Sequence, residues 1–355
     1  MKKNLLGYTL AQMTEEFVSL GQTKYRAKQV FTWIYKKNVL NFDDMTDVSK
    51  DFRALLNQDY CLDLPKIHTR QDASDGTVKI LLEMEDGAKV ESVLMPYNYG
   101  DAICVSSQVG CNMSCAFCAS GLHRRTRNLT AAEMIGEVLV MNQLLAEWGR
   151  HVTHIVVMGT GEPFDNYDNV MDFIRIANDQ AGLEIGARHI TVSTCGLVDG
   201  IRKYGHEGIQ INLAISLHAP NDAIRNQLMP ISRAYPMDKL MEAIKDYESN
   251  ANRRVTFEYI MLAGLNDSLA HADDLADLIH RYGIFAYVNL IPYNEVVEKP
   301  YKRSSFSAIK AFADRLMKRG INTTVRKEFG TDIDAACGQL RSKVITGENP
   351  GGEGK

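Results

Sequence analysis

Apolar residues along this chain follow three spacings in succession. Between residues 9 and 37 they recur every three or four positions, in one stretch from Thr9 to Leu20 that stops at Gly21 and another from Tyr25 to Lys37. Lys24, Arg26, Lys28, Lys36 and Lys37 surround the second stretch, which predicts a small, separate module of basic helices. Next, KIHTRQDASDGTVKILLEMEDGAKVESVLM alternates apolar and polar residues around Asp75-Gly76 and Asp86-Gly87, two dipeptides that favour hairpin turns. This predicts a three-stranded antiparallel meander. Beyond residue 101, solid apolar runs begin at Ala102, His154, His189, Ile211, Val255 and Ala286, with amphipathic helical stretches between them. The clearest helix runs from Thr130 to Trp148, where Thr130 and Glu133 make a capping box and Gly149 supplies the stop. Six strand-helix units predict an α/β fold, a parallel sheet with helices outside it, and a further strand is expected near Asn322 to Lys327.

These patterns divide the chain into a helical module (1–60), a meander (61–100), an α/β core (101–328) and a C-terminal segment (329–355) whose end, GENPGGEGK, reads as disordered. With 355 residues, 45% hydrophobic and 24% charged, the chain can bury a large core, which excludes disordered and collagen-like classes. No apolar run approaches the length of a membrane span, and the leading MKKNLLGYTLAQMTEEF meets Glu15 and Glu16 without a small-residue cleavage site. A cytoplasmic location without membrane attachment is therefore expected. The net charge of -4 gives no global attraction to nucleic acid, so any RNA binding would have to rest on local basic patches.

The cysteines change this picture. CVSSQVGCNMSCAFC, from Cys104 to Cys118, holds four of the seven. Cytosolic thiols stay reduced, so such a cluster points to metal binding or chemistry rather than structural disulfides. Cys111, Cys115 and Cys118 form C-x3-C-x2-C with Phe117 before the last, a spacing suited to three corners of a cubane iron-sulfur cluster with one iron left open. A structural zinc site is the alternative, but no fourth ligand stands at zinc-like spacing. The pattern resembles the radical S-adenosylmethionine (SAM) superfamily, whose members bind a 4Fe-4S cluster at such a motif and chelate SAM at the open iron. That resemblance implies a partial (β/α)6 barrel carrying the helical module and the meander. It also assigns SAM contacts to Gly161 and Glu162 in MGTGEP, Ser193 in VSTCG, Ser216, Leu217 and His218 in ISLHA, and Asn294 in IPYN. All stand at the C-terminal ends of predicted strands, where parallel barrels gather their chemistry. Each has an ordinary alternative: Gly159 and Gly161 as turn glycines, Glu162 as a solvated loop charge, His218 as a packed histidine.

Two further cysteines, Cys104 and Cys337, cannot both be cluster ligands if SAM occupies the open iron, whereas Cys61 and Cys195 read as small apolar residues. The combination CVSSQVGC, GARHITVST, LAISLHAP, LMPI, VNLIPYN and DIDAACGQLR resembles the RlmN family, which methylates adenine C2 in RNA, and it runs to about Arg341. Adenine C2 is electron-poor and has no lone pair, so it cannot displace a methyl group from SAM directly, and a radical is needed. The resemblance implies two SAM molecules per turnover. One methylates Cys337; the other yields a 5'-deoxyadenosyl radical that activates the S-methyl group for addition to C2. A covalent protein-RNA adduct follows, released when Glu91 accepts the C2 proton and Cys104 attacks the sulfur of Cys337 in a transient disulfide. The ordinary alternative for Glu91, beside Lys89 on a hairpin, is a solvated surface charge.

The implied partners are 23S rRNA (the position-2503 adenosine), adenosine 37 of some tRNAs, and an electron donor such as flavodoxin or ferredoxin, with the protein acting as a monomer. GLHRRTRN, with His123, Arg124, Arg125 and Arg127, could bring guanidinium groups to the site, although a charge run is usually solvated. Two rival readings stay open. Cfr-like proteins methylate adenine C8 with the same thiol pair, although GARHITVST and LAISLHAP look more like the C2 family. A non-catalytic iron-sulfur or zinc RNA-binding protein would leave Cys104 and Cys337 unexplained.

Overall fold

The computed structural model describes residues 2–335 and 338–340. Ten strands form one sheet in chain order: β1 (Lys66–Asp72), β2 (Val78–Glu83), β3 (Lys89–Tyr97), β4 (Gly100–Val105), β5 (Val152–Val157), β6 (Ile190–Thr194), β7 (Asn212–Ser216), β8 (Val255–Met261), β9 (Ala286–Pro292) and β10 (Asn322–Val325). Neighbours from β1 to β4 pair antiparallel, and from β4 to β10 all pairs are parallel. The meander expected from the alternation is therefore continuous with the core sheet. Its last strand, β3, pairs with β4 through Tyr97 and Gly100, which removes the unpaired edge that a free-standing meander would expose.

The predicted turns form as expected, with Gly76 at φ 85 and Gly87 at φ 82. Helix α1 (Leu10–Ser19) starts at a Thr9 capping box, and α2 (Lys24–Tyr35) follows Gly21. A third helix, α3 (Lys50–Asp59), went unnoticed in the sequence although Phe52, Leu55 and Leu56 repeat at helical spacing. In α4 (Ala131–Ala146) the Thr130–Glu133 capping box is present. The remaining helices are α5 (Tyr167–Asn178), α6 (Val198–Gly205), α7 (Asp222–Leu228), α8 (Met237–Ala251), α9 (Leu269–Tyr282) and α10 (Phe306–Lys318).

Strand side chains alternate between two faces, and one set (Ile103, Val105, Ile155, Val157, Val192, Ile215, Phe257 and Leu290 among others) joins the helices in the main core. The N-terminal helices belong to that same core rather than to a free-standing module. Leu5 and Leu6 are fully buried in it, the Tyr35 hydroxyl donates to Leu6 O (2.7 Å), and Gln12 donates to Asp172 on α5 (2.9 Å). The opposite face of the sheet carries two smaller apolar clusters, one around Phe117, Cys195 and Tyr293, the other around Val93, Cys104 and Phe329.

Candidate active site

On the face turned away from the helices, the C-terminal ends of the parallel strands enclose a cavity of about 150 Å³. Cys111, Cys115, Cys118, Gly161, Glu162, Ser193, Ser216 and His218 all line it. Residues as far apart in the chain as Cys111 and His218 thus converge because each follows or ends a strand on the same side of the sheet.

The three thiols sit on a loop that leaves the short strand Gln108–Val109 and returns at Arg127–Asn128. Cys111 N donates to His123 O (3.0 Å) and Ala116 N to Leu228 O (2.8 Å), and Ser114 adopts φ 52. Burial pushes the Cys111 thiol up to about 11 and also raises Cys115 well above the usual thiol range. Thiolates here therefore need positive charge beside them, which bound iron supplies. A closed zinc centre needs four protein ligands, whereas the thiol loop brings three cysteines to the cavity. Three thiols spread around one cavity fit a cluster whose irons each take one sulfur.

Glu162 is buried rather than solvated. Its carboxylate accepts from Thr194 Oγ1 (2.6 Å), Cys195 N (2.8 Å) and Phe164 N (3.1 Å), and burial raises its pKa. The residue thereby ties the loop after β5 to the end of β6 while lining the cavity. Gly161 (φ 112) leaves no room for a side chain, since a Cβ would lie 2.7 Å from Ser107 Oγ and from Gln108 Cβ. Ser193 and Ser216 bring their hydroxyls to 3.5 Å from each other. His218, at φ 59, accepts from Ile260 N through Nδ1 (3.1 Å) and meets Phe117 edge-on, and burial lowers its pKa to about 3. It is a neutral cavity-wall imidazole. Leu217 differs: its side chain is fully buried in the main core and does not line the cavity.

A second cavity, of about 30 Å³, adjoins the first and shares Met158, Ile291 and Arg326 with it. Cys104 and Asn294 line this one. Cys104 lies opposite Val93 in the β3–β4 register, and Glu91 lies on the same face of β3 as Val93. Glu91 is buried, not a solvated hairpin charge, and sits 3.6 Å from Lys79 Nζ. That ammonium donates to Ile333 O (2.6 Å) and Asp334 O (3.2 Å). Ala335 and Leu340 pack with Cys104, while Ala119 N donates to Gly338 O (2.8 Å) and Ser120 Oγ to Leu340 O (2.9 Å). Cys337 and the tail GENPGGEGK lie outside the described residues.

Three side chains at the site escaped the sequence reading. Glu258, in the middle of β8, accepts from Asn289 Nδ2 (2.9 Å), lies 3.7 Å from Arg326, and lines the larger cavity. A lone Glu inside the apolar run VTFEYIML was its signal. Arg326 lines both cavities. Arg225 is fully buried behind the thiol loop, and one of its nitrogens donates to Cys195 O (2.7 Å). The basic run near the site is largely occupied: Arg125 pairs with Asp165, and Arg127 with Asp86 (2.6 Å) and Glu133 (2.7 Å). Arg124 remains exposed.

Comparison with known proteins agrees with this arrangement. Residues 3–62 match the family model described as ribosomal RNA large subunit methyltransferase N-terminal domain, and residues 105–276 match the radical SAM superfamily. A Spiroplasma citri protein named "Probable dual-specificity RNA methyltransferase RlmN" is 53% identical over 340 residues, covering 96% of this chain and 97% of that one. Its Enterococcus faecalis namesake is 51% identical over 350 residues, 98% of each chain. The crystal structure of a radical SAM methyltransferase from Sphaerobacter thermophilus superposes with a TM-score of 0.90 at 44% identity, covering 96% of this chain and 99% of that one.

Proposed function

The chain belongs to the RlmN family of dual-specificity radical SAM RNA methyltransferases, and from that premise we propose that it methylates C2 of adenosine, at position 2503 of 23S rRNA and at position 37 of some tRNAs. Membership implies a 4Fe-4S cluster and SAM, which when bound supply the methyl group and the radical that activates it. Cys111, Cys115 and Cys118 would hold the cluster. Gly161, Glu162, Ser193, Ser216, His218 and Asn294 would orient SAM, two molecules per turnover.

The chain's own residues carry the remaining steps. Cys337 accepts the methyl group as a thioether and becomes joined to the RNA through that carbon. Glu91 then takes the C2 proton as the odd-electron adduct gives up one electron, which the bound cluster would accept. The Cys104 thiolate attacks the Cys337 sulfur, so that the carbon-sulfur bond breaks, its electron pair leaves with the carbon, that carbon takes up a proton as the new methyl group, and the two sulfurs remain as a disulfide. Both thiols return to the reduced state by thiol exchange or an external reductant before the next turnover.

The observation that carries this reading is the shared burial of Glu91 and Cys104 on one sheet face, beneath residues 329–335 and 338–340. Neither a zinc-binding nor a non-catalytic role asks for a carboxylate and a thiol there. Mass spectrometry of digested rRNA tests the outcome: 2-methyladenosine is expected, and 8-methyladenosine would transfer the chain to the Cfr-like reading. Cys104→Ala should stall as a ribonuclease-sensitive protein-RNA adduct, whereas Cys337→Ala should form neither adduct nor product. Normal turnover by Cys104→Ala would overturn the division of roles.

A further inference from the structure

Five aromatic rings run in contact across the sheet face that carries the candidate site, toward the other ends of the strands. Phe329 meets Tyr97 edge-on (4.6 Å between ring centres), and Tyr97 stacks on Tyr99 (4.7 Å, 19°). Tyr99 then meets His154 (5.1 Å), which stacks on His189 (4.2 Å, 24°). Alternation along the strands explains the alignment. Tyr97 shares a face of β3 with Val93 and Glu91, His154 shares one of β5 with Val156, and His189 has the parity of Ser193 on β6. The hairpin tip is held in place by Gly100 (φ 143), where any Cβ would collide with the Thr153 hydroxyl on β5.

This strip is not a core cluster, because Tyr99 is 63% exposed and His189 is exposed. Its charges are also unbalanced toward cations. Lys327 Nζ lies 4.6 Å over the Phe329 ring and Arg188 is exposed beside His189, and neither makes an ion pair with a carboxylate among the described residues. Of the acids nearby, Asp75 accepts from Thr77 N (2.9 Å) and Gly330 N (3.0 Å) and feels the Lys327 charge without an ion-pair contact, and Asp101 pairs with Arg150.

We propose that Tyr97, Tyr99, His154 and His189 form a stacking surface for unpaired RNA bases that flank the adenosine entering the cavity. The inference rests on the RNA-modifying reading above and names where its substrate is held. Aromatic faces bordered by unpaired cations are how proteins grip single-stranded nucleic acid, since every base offers a π-face and the backbone is anionic. His189 stands four residues before Ser193, about 13 Å along an extended strand, so neighbours of the target nucleotide can reach the strip. Phe329 also lines the smaller cavity with Cys104, which makes the strip continuous with the site.

Fluorescence anisotropy with two labelled RNAs tests this, one a stem-loop with an unpaired adenosine-containing loop, the other a blunt duplex of equal length. Tyr99→Ala and His189→Ala should each weaken stem-loop binding by about tenfold and leave duplex binding within about twofold, while Tyr99→Phe keeps wild-type affinity because the ring remains. Wild-type stem-loop affinity in the Tyr99→Ala, His189→Ala double variant would overturn the proposal. So would equal losses for stem-loop and duplex, which would indicate charge or fold rather than stacking. Thermal melting of each variant separates misfolding from lost contact, and Tyr99 can be truncated without opening the core. If the wild-type protein bound neither RNA, the RNA-modifying reading itself would fall.

Discussion

Glu162 illustrates how one side chain serves both fold and site. Three donors converge on its buried carboxylate, so Glu162→Ala strands the Cys195 and Phe164 amides without partners. A loss of about 3 kcal/mol or more is expected by denaturant titration, and a loss below about 1 kcal/mol would mean that this carboxylate does not hold β5 to β6. For the same reason, weakened SAM binding in that variant would not be diagnostic, and Ser193→Ala and Asn294→Ala are the cleaner tests of cofactor contact. Glu137 is a second buried acid. Its carboxylate accepts from Ser92 and from Ser106 N (3.0 Å) behind the strands that carry Glu91 and Cys104, and burial pushes its pKa up to about 8. A carboxyl raised in the folded state contributes stability that is complete below its unfolded-state range, near 4.5, and is lost as pH rises through about 8. Wild-type stability should therefore fall by a few kcal/mol between about pH 5 and pH 9 from this group, and Glu137→Gln should remove that slope. Identical slopes in the two proteins would show that Glu137 is already ionised when folded.

At the scale of elements, the β3–β4 hairpin joins the antiparallel extension to the parallel strands, and its tightest point is Gly100. Both the φ of 143 and the contact with Thr153 exclude a side chain. Gly100→Ala should cost about 2 kcal/mol or more, and adding Thr153→Ala should recover only the steric part, because the backbone strain of about 1 kcal/mol remains. Full recovery in the double variant, read from melting curves, would mean that crowding alone selects glycine there. The strand alternation also explains why ISLHA divides as it does. Ser216 ends β7 on the cavity side, Leu217 turns into the core, and His218 can turn back only through a left-handed backbone (φ 59).

For the molecule as a whole, a net charge of -4 means that affinity for RNA must come from particular cations. Arg127 is held between Asp86 and Glu133, so Arg127→Ala should lower stability by roughly 1 kcal/mol and leave the salt dependence of RNA binding unchanged. Arg124, exposed on the same loop, should instead reduce the slope of log affinity against log salt by about 1 when replaced by Ala. Equal slopes for Arg124→Ala and wild type would exclude this loop from the interface. The N-terminal helices are part of the same apolar core as α4 and α5, which ties the matched N-terminal family segment to the radical SAM core as one packed body.

The sequence alone determined whatever depends on neighbours in the chain. The strand and helix order followed from apolar period, the helix starts at Thr9 and Thr130 from capping chemistry, and the thiol triad from its spacing, because all three are set within about one turn or one loop. What it left open is set by distant contacts. Whether Glu91 was a surface charge or a buried one depended on Lys79 and residues 333–334, some 250 positions away. Arg127 and Arg124 are equivalent in composition, and only the positions of Asp86 and Glu133 separate them. Likewise, Glu258, Arg225 and the aromatic strip became visible only when the sheet brought separate strands side by side. Local pattern specifies which face a residue takes, but only the pairing of strands decides what it meets there.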